Sequence, residues 1–187
     1  MMFDHFNLLA PFYEWLIAAP DGERLSELLR LPLHGRLLDV GGGTGRVADV
    51  LQSSVDKMFL IDPAAGMLDQ ARAKRGLRLA RAKVERLPFG NAVFDAVLVV
   101  DALHHFYDQR MAVAELLRVL KPGGRMVIEE PDLRRFRVKL IAVMEKVALM
   151  RSHFYSPEAI RDMIAAHGLD ACIERDEVMT AWVVVDK

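Results

Sequence analysis

Short apolar runs alternate with helical patterns along most of this chain. GRLLDVG (35–41), KMFLID (57–62), the weaker RLARAK (78–83), FDAVLVVD (94–101) and RMVIEE (125–130) read as strands. Between them lie GRVADVLQSS (45–54), AAGMLDQARAKR (64–75) and MAVAELLRVLKPGG (111–124), with apolar residues at helical spacing. The first places Val47, Val50 and Leu51 on one face, the second Met67, Leu68 and Ala71, and the third stops at Pro-Gly. Strands that are apolar on both faces and separated by helices imply a parallel sheet covered on both sides.

The tail breaks the alternation. SPEAIRDMIAAHGL (156–169) is a helix capped by Ser156, with Pro157 in its first turn and Gly168 past its end. ACIERDEV and AWVVVDK then follow with no helix between them, so they form an antiparallel hairpin and the sheet ends on an antiparallel strand. The 187 residues suit a single domain over 1–187, opened by an N-terminal helical cap over 1–30. A net charge of −1 argues against a dedicated nucleic-acid binder. The single cysteine excludes an internal disulfide and points to a reducing, cytoplasmic setting. No apolar run reaches the roughly 20 residues of a membrane span, and the N-terminus does not read as a signal peptide.

The turn between the first strand and its helix carries the strongest functional signal. Gly41, Gly43 and Gly45 are spaced G-x-G-x-G, which lets the backbone turn sharply and come close to a ligand. The helix N-terminus beyond favours negative charge. A dinucleotide fingerprint needs a small residue where this chain has Arg46. The second strand ends at Asp62, twenty-one residues after Gly41, where a carboxylate can accept both hydroxyls of a ribose or serve as a helix-end acid. Loop and acid together indicate an adenosine-containing cofactor without saying which.

LLDVGGGTG, LIDPAAGMLDQA, VERLPFGNAVFDAVLVVDALHHF and ELLRVLKPGGRMVIEE resemble, in order and spacing, the class I S-adenosylmethionine-dependent methyltransferases. The resemblance is nearest to small-molecule enzymes of the ubiquinone/menaquinone C-methyltransferase type, the methyltransferase type 11 domain, and is close over 36–131. It implies an α/β, Rossmann-like seven-stranded sheet of order 3-2-1-4-5-7-6, with strand 7 antiparallel and helices on both faces. It implies S-adenosyl-L-methionine as cofactor and S-adenosyl-L-homocysteine as product. Carried over by position, Asp39 and the Gly41–Gly45 loop go to the methionine end, and Asp62 to the ribose hydroxyls. Pro63 and Met67 go beside the adenine, Lys83, Val84 and Glu85 along its edge, and Asp101 near the methionine moiety, with His104 and His105 over the site.

Two positions depart from the family pattern. Lys83 stands where an Asp or Asn usually accepts from the adenine amino group, and an ammonium has no acceptor; Glu85 or a backbone carbonyl would have to take over. Ala64 stands near a position where a Ser usually caps the helix, a loss worth roughly 0.5–2 kcal/mol unless Asp62 caps instead.

Methyl transfer from a sulfonium needs orientation above all, and a base only where the acceptor must lose a proton. His105, then His104, are the catalytic candidates, each with the alternative of a backbone bond or packing. The six histidines show no metal-ligand spacing. In PDLRRFRVKLIAVMEKVALMRSHFY (131–155), Phe136, Leu140, Met144, Val147 and Arg151 share one helical face, with Arg135, Lys139 and Lys146 opposite. The segment 132–155 is either a surface helix on the core or a substrate cover lined by Met144, Phe154 and Tyr155, with a basic face suited to a membrane surface. The expected function is methyl transfer to a small, aromatic or lipophilic acceptor. The alternatives are a non-catalytic S-adenosylmethionine- or S-adenosylhomocysteine-binding protein and a nicotinamide-dependent dehydrogenase.

Overall fold

The computed structural model describes residues 20–132, 153–177 and 179–187. In chain order the elements are α1 (Gly22–Leu29), β1 (Leu33–Val40), α2 (Arg46–Leu51), β2 (Val55–Asp62), α3 (Ala65–Ala71) and β3 (Leu77–Arg81). They continue with β4 (Phe94–Val100), α4 (Gln109–Val119), β5 (Leu120–Pro131), α5 (Pro157–Ala165), β6 (Ala171–Arg175) and β7 (Thr180–Asp186). One sheet holds all seven strands in the order β3-β2-β1-β4-β5-β7-β6. Strands β1 to β5 pair in parallel, while β7 runs antiparallel to both β5 and β6. The expected topology is therefore the observed one.

Alternate residues of the central strands feed opposite faces, as the period of 2 requires. Leu38, Val97, Val99, Met126 and Ile128 pack with Val113, Leu116 and Leu117 of α4 and with Ile160 and Ile164 of α5. Leu37, Ala96, Leu98 and Val127 pack on the other side, with Leu25 and Leu28 of α1 and Val47 and Leu51 of α2. Covered on both faces, the sheet presents the ends of its strands to a ligand.

Several local expectations are corrected. Val50 is 49% exposed, resting against Gly22 instead of joining Val47 and Leu51 in the core. The helix read as 111–124 begins at Gln109, because Asp108 caps it by accepting from the Met111 N–H at 2.9 Å. It ends at Val119, and Pro122-Gly123-Gly124 instead forms an irregularity inside β5, where Gly123 takes φ +76°. The strand read as 171–178 stops at Arg175, since the Asp176 carboxylate gathers the N–H groups of Met179 and Thr180 at 2.7 Å each. The Ser156 cap is present, accepting from Ala159 N–H at 3.2 Å. Of the expected N-terminal helices only α1 falls among the described residues, and the segment 133–152 lies outside them.

Candidate functional site

Glycine conformation builds the first wall of the site. Gly41, Gly43 and Gly45 all have positive φ, and Gly45 is the left-handed residue from which α2 starts. A Cβ on Gly42 would fall 2.6 Å from Asp39 Oδ2, whereas one on Gly43 would meet nothing nearer than Met67 Sδ at 3.8 Å. Gly43 thus leaves open space beside the loop, and Met67, itself buried, supports the loop from below instead of standing on the cleft wall.

Asp62 ties this loop to the next helix. Its carboxylate accepts from Gly43 N–H at 3.0 Å and from Ala64 N–H at 2.7 Å. Ala64 provides no side-chain cap to α3, so Asp62 organises that turn from two residues upstream. Asp39 lies deeper. Only 1% exposed, it keeps Oδ2 with no hydrogen-bond partner among the described residues. Burial pushes its pKa up to about 7, with Arg46 opposing the shift and Asp62 adding to it. A buried carboxylate oxygen left unpaired beneath an anion-tolerant loop fits a cationic group arriving from outside, such as an amino acid ammonium.

A cleft of about 690 Å³ opens along the same edge. Gly41, Pro63, Lys83, Val84, Glu85 and His105 line it, as do Phe106, Tyr107, Arg110, His153 and Tyr155. The turn after β3 and the turn after β4 face each other across it. Glu85 joins them, accepting from the N–H groups of Tyr107 at 2.9 Å and Asp108 at 3.3 Å. That oxygen is committed to the loop, which weakens Glu85 as the substitute acceptor for an adenine amino group. Lys83 is exposed and forms no side-chain hydrogen bond among the described residues. The turn's backbone carbonyls remain as acceptors.

The two histidines occupy different environments. His104 is buried, with Nδ1 2.6 Å from Glu130 Oε2, while Glu130 Oε1 accepts from Leu103 N–H at 2.8 Å. His105 reaches the cleft, and burial together with His104 lowers its pKa to about 3, which keeps the ring neutral. The chain returns to this turn at 153–155. His153 N–H donates to His104 O at 2.7 Å, Gln109 Nε2 donates to His153 O at 2.7 Å, and Phe154 stacks on the His104 ring with centroids 4.2 Å apart.

Asp101 follows β4 in the left-handed region, φ +51°, a conformation Asp tolerates better than most residues. Its Oδ2 lies 3.4 Å from Arg46. Burial raises its pKa and Glu130 adds to the shift, against Arg46 and His104. Beside it Glu129, a position the sequence reading did not single out, accepts from Trp182 Nε1–H at 2.6 Å. The available signal was its place: an acid ending an apolar strand at the same sheet edge as Asp62 and Asp101.

A glycine loop and an acid on adjoining parallel strand ends, in a sheet that closes on an antiparallel strand, define the class I methyltransferase fold. A family model described as a methyltransferase domain matches residues 38–128. The demethylmenaquinone methyltransferase of Thermus thermophilus is 40% identical over 176 residues, covering 79% of each chain. That of Deinococcus radiodurans is 38% identical over 139 residues, covering 67% of this chain and 58% of its own. The chain spans 58%, 42% and 42% of the length of the first curated relatives it matches. A solved S-adenosylmethionine-dependent methyltransferase from Thermotoga maritima shares the fold, with a TM-score of 0.77, 23% identity and 97% of each chain covered. The chain belongs to the class I S-adenosylmethionine-dependent methyltransferases of the ubiquinone/menaquinone C-methyltransferase type, enzymes whose cofactor is S-adenosylmethionine. Neither a dehydrogenase nor a purely binding role finds support among these relatives.

Proposed function

We propose that this protein transfers the methyl group of S-adenosylmethionine to a small aromatic acceptor of the quinol type. The observation that carries the reading is the 40% identity, across 79% of both chains, with a relative named demethylmenaquinone methyltransferase. The bound cofactor supplies an activated methyl on a sulfonium, so the chain's task is binding, orientation and exclusion of water. In this reading Asp62 accepts from the ribose hydroxyls and the Gly41, Gly43 and Gly45 backbone embraces the methionine end. Asp39 receives the ammonium, and Asp101 stands beside the sulfur. Pro63 lies against the adenine, which Lys83, Val84 and Glu85 border, while Met67 backs the glycine loop from within the core.

His105, neutral by virtue of its burial, orients the acceptor by hydrogen bonding and is too weak a base to hold its proton. His104 acts through its bond to Glu130 by fixing the turn that presents His105. Of the segment 132–155, proposed from its sequence as a cover for the acceptor, 133–152 lie outside the described residues; at its described ends Asp132 is buried with Arg175 3.4 Å away, and His153 N–H donates to His104 O. A labelled-methyl screen tests the reading by comparing a short-chain demethylmenaquinol, simple phenols and primary amines. Label should enter the quinol. Label in amines alone would overturn the acceptor class.

A further inference from the structure

The strand order strings the site's acids along one edge. Asp62 ends β2, the glycine loop and Asp39 follow on β1, then come Asp101 after β4 and Glu129 near the end of β5. Neighbouring strand ends are about 4.8 Å apart, so Glu129 stands one spacing beyond Asp101 on the side away from the ribose acid. Val100 is its partner in the β4–β5 ladder, and Asp101 N–H donates to Glu129 O at 3.0 Å. Glu130 bonds instead to His104 and Leu103 on the opposite face.

Asp39, Asp101 and Glu129 all feel the guanidinium of Arg46, whose side chain is 14% exposed. Among the described residues, the groups facing Glu129 are Trp182 of β7, Asp101, Arg46 at the start of α2 and Asp21 before α1. Arg24 of α1 lies over the Trp182 ring at 5.2 Å but is paired with Glu27 and Glu174. Three carboxylates therefore share one guanidinium in a half-buried space. Asp39 Oδ2, in a residue 1% exposed, has no hydrogen-bond partner among the described residues. Burial raises the pKa of all three carboxylates, so their ionisation responds to a further positive charge beside them.

We propose that Glu129, coupled to Asp101, reads the positive charge of the methyl donor and so sets the preference for the sulfonium cofactor over its uncharged-sulfur product. The proposal rests on the cofactor assignment above. Both nucleosides carry the same ammonium, which Asp39 meets alike, and they differ in charge only at sulfur. Burial holds the Glu129 pKa at about 7, with Asp101 and Asp21 adding to the shift and Trp182 and Arg46 opposing it. A sulfonium entering beside the pair favours its ionised form, so the group releases a proton to solvent as the donor binds. Donor affinity must then rise with pH up to about 7 and level off above it. A two-unit fall in that pKa on binding corresponds to about tenfold between pH 6 and pH 8.

Calorimetry of the whole chain with S-adenosylmethionine and S-adenosylhomocysteine, at pH 6 and pH 8 and in two buffers of different ionisation enthalpy, provides the test. In the unsubstituted protein, the preference for donor over product should grow about tenfold from pH 6 to pH 8. More protons should be released with the donor than with the product. Glu129→Gln should abolish most of that pH-dependent growth, and Trp182→Phe, which frees Glu129 Oε2, should shift its midpoint. Equal proton release by the two nucleosides in the unsubstituted protein overturns the proposal without any variant. Equal pH dependence in Glu129→Gln also overturns it. Binding of neither nucleoside at either pH overturns the cofactor assignment and the proposal together.

Discussion

Asp62 has a structural duty as well as its proposed contact with ribose. Its two oxygens hold Gly43 and Ala64 N–H groups, and the residue is only 8% exposed. Asp62→Ala should weaken cofactor binding by about 1–3 kcal/mol and should also lower stability, because two charge-assisted bonds disappear. Asp62→Asn keeps the shape and should lose more affinity than stability. Calorimetry and thermal melts of both variants separate the two effects; unchanged affinity in folded Asp62→Ala would reduce Asp62 to a turn-former. Lys83 is the opposite case, an exposed cation on the cleft wall. Lys83→Asp should tighten S-adenosylmethionine binding by about 0.5–1.5 kcal/mol, by offering the adenine amino group an acceptor. No gain would mean that backbone carbonyls already satisfy it.

Between β4 and α4, the turn Leu103–His105 depends on one acid of β5. Glu130 satisfies Leu103 N–H and His104 Nδ1, and both Glu130 and His104 are buried. Glu130→Ala strands both donors and should cost about 2–4 kcal/mol in urea unfolding, whereas Glu130→Gln should cost less by keeping the Leu103 bond. A loss below about 1 kcal/mol in the alanine variant would show that water replaces the carboxylate. Much of this architecture was legible from periodicity: the β1–α2 turn, the parallel strands, the Ser156 cap and the terminal hairpin. The errors have local causes. A Pro-Gly-Gly that reads as a helix stop serves here as an irregularity within β5, and Asp108 moves the helix start earlier than its apolar pattern suggests. Glu129 and Glu130 were hidden because adjacent acids at a strand end look alike in sequence. Only the pleat sends one to Trp182 and the other to His104.

The assembled sheet brings these acids to one edge, and its stability should carry their signature. Asp39 titrates near 3.9 in an unfolded chain but at about 7 here, so the folded protein holds its proton longer. Stability of the free protein should therefore fall as pH rises from about 4 to 7, by at most about 4 kcal/mol from this residue. Asp39→Asn should flatten that decline and melt higher than the parent at pH 8, while binding the cofactor less well. A decline unchanged by the substitution would place its origin elsewhere. The whole edge, from the turn after β3 to the end of β5, is the proposed bed of one cofactor. Equilibrium dialysis with S-adenosyl-L-[methyl-³H]methionine, with S-adenosylhomocysteine or NAD as competitor, addresses that directly. One saturable site per chain should appear, emptied by S-adenosylhomocysteine and indifferent to NAD. Displacement by NAD at lower concentration than by S-adenosylhomocysteine would contradict it.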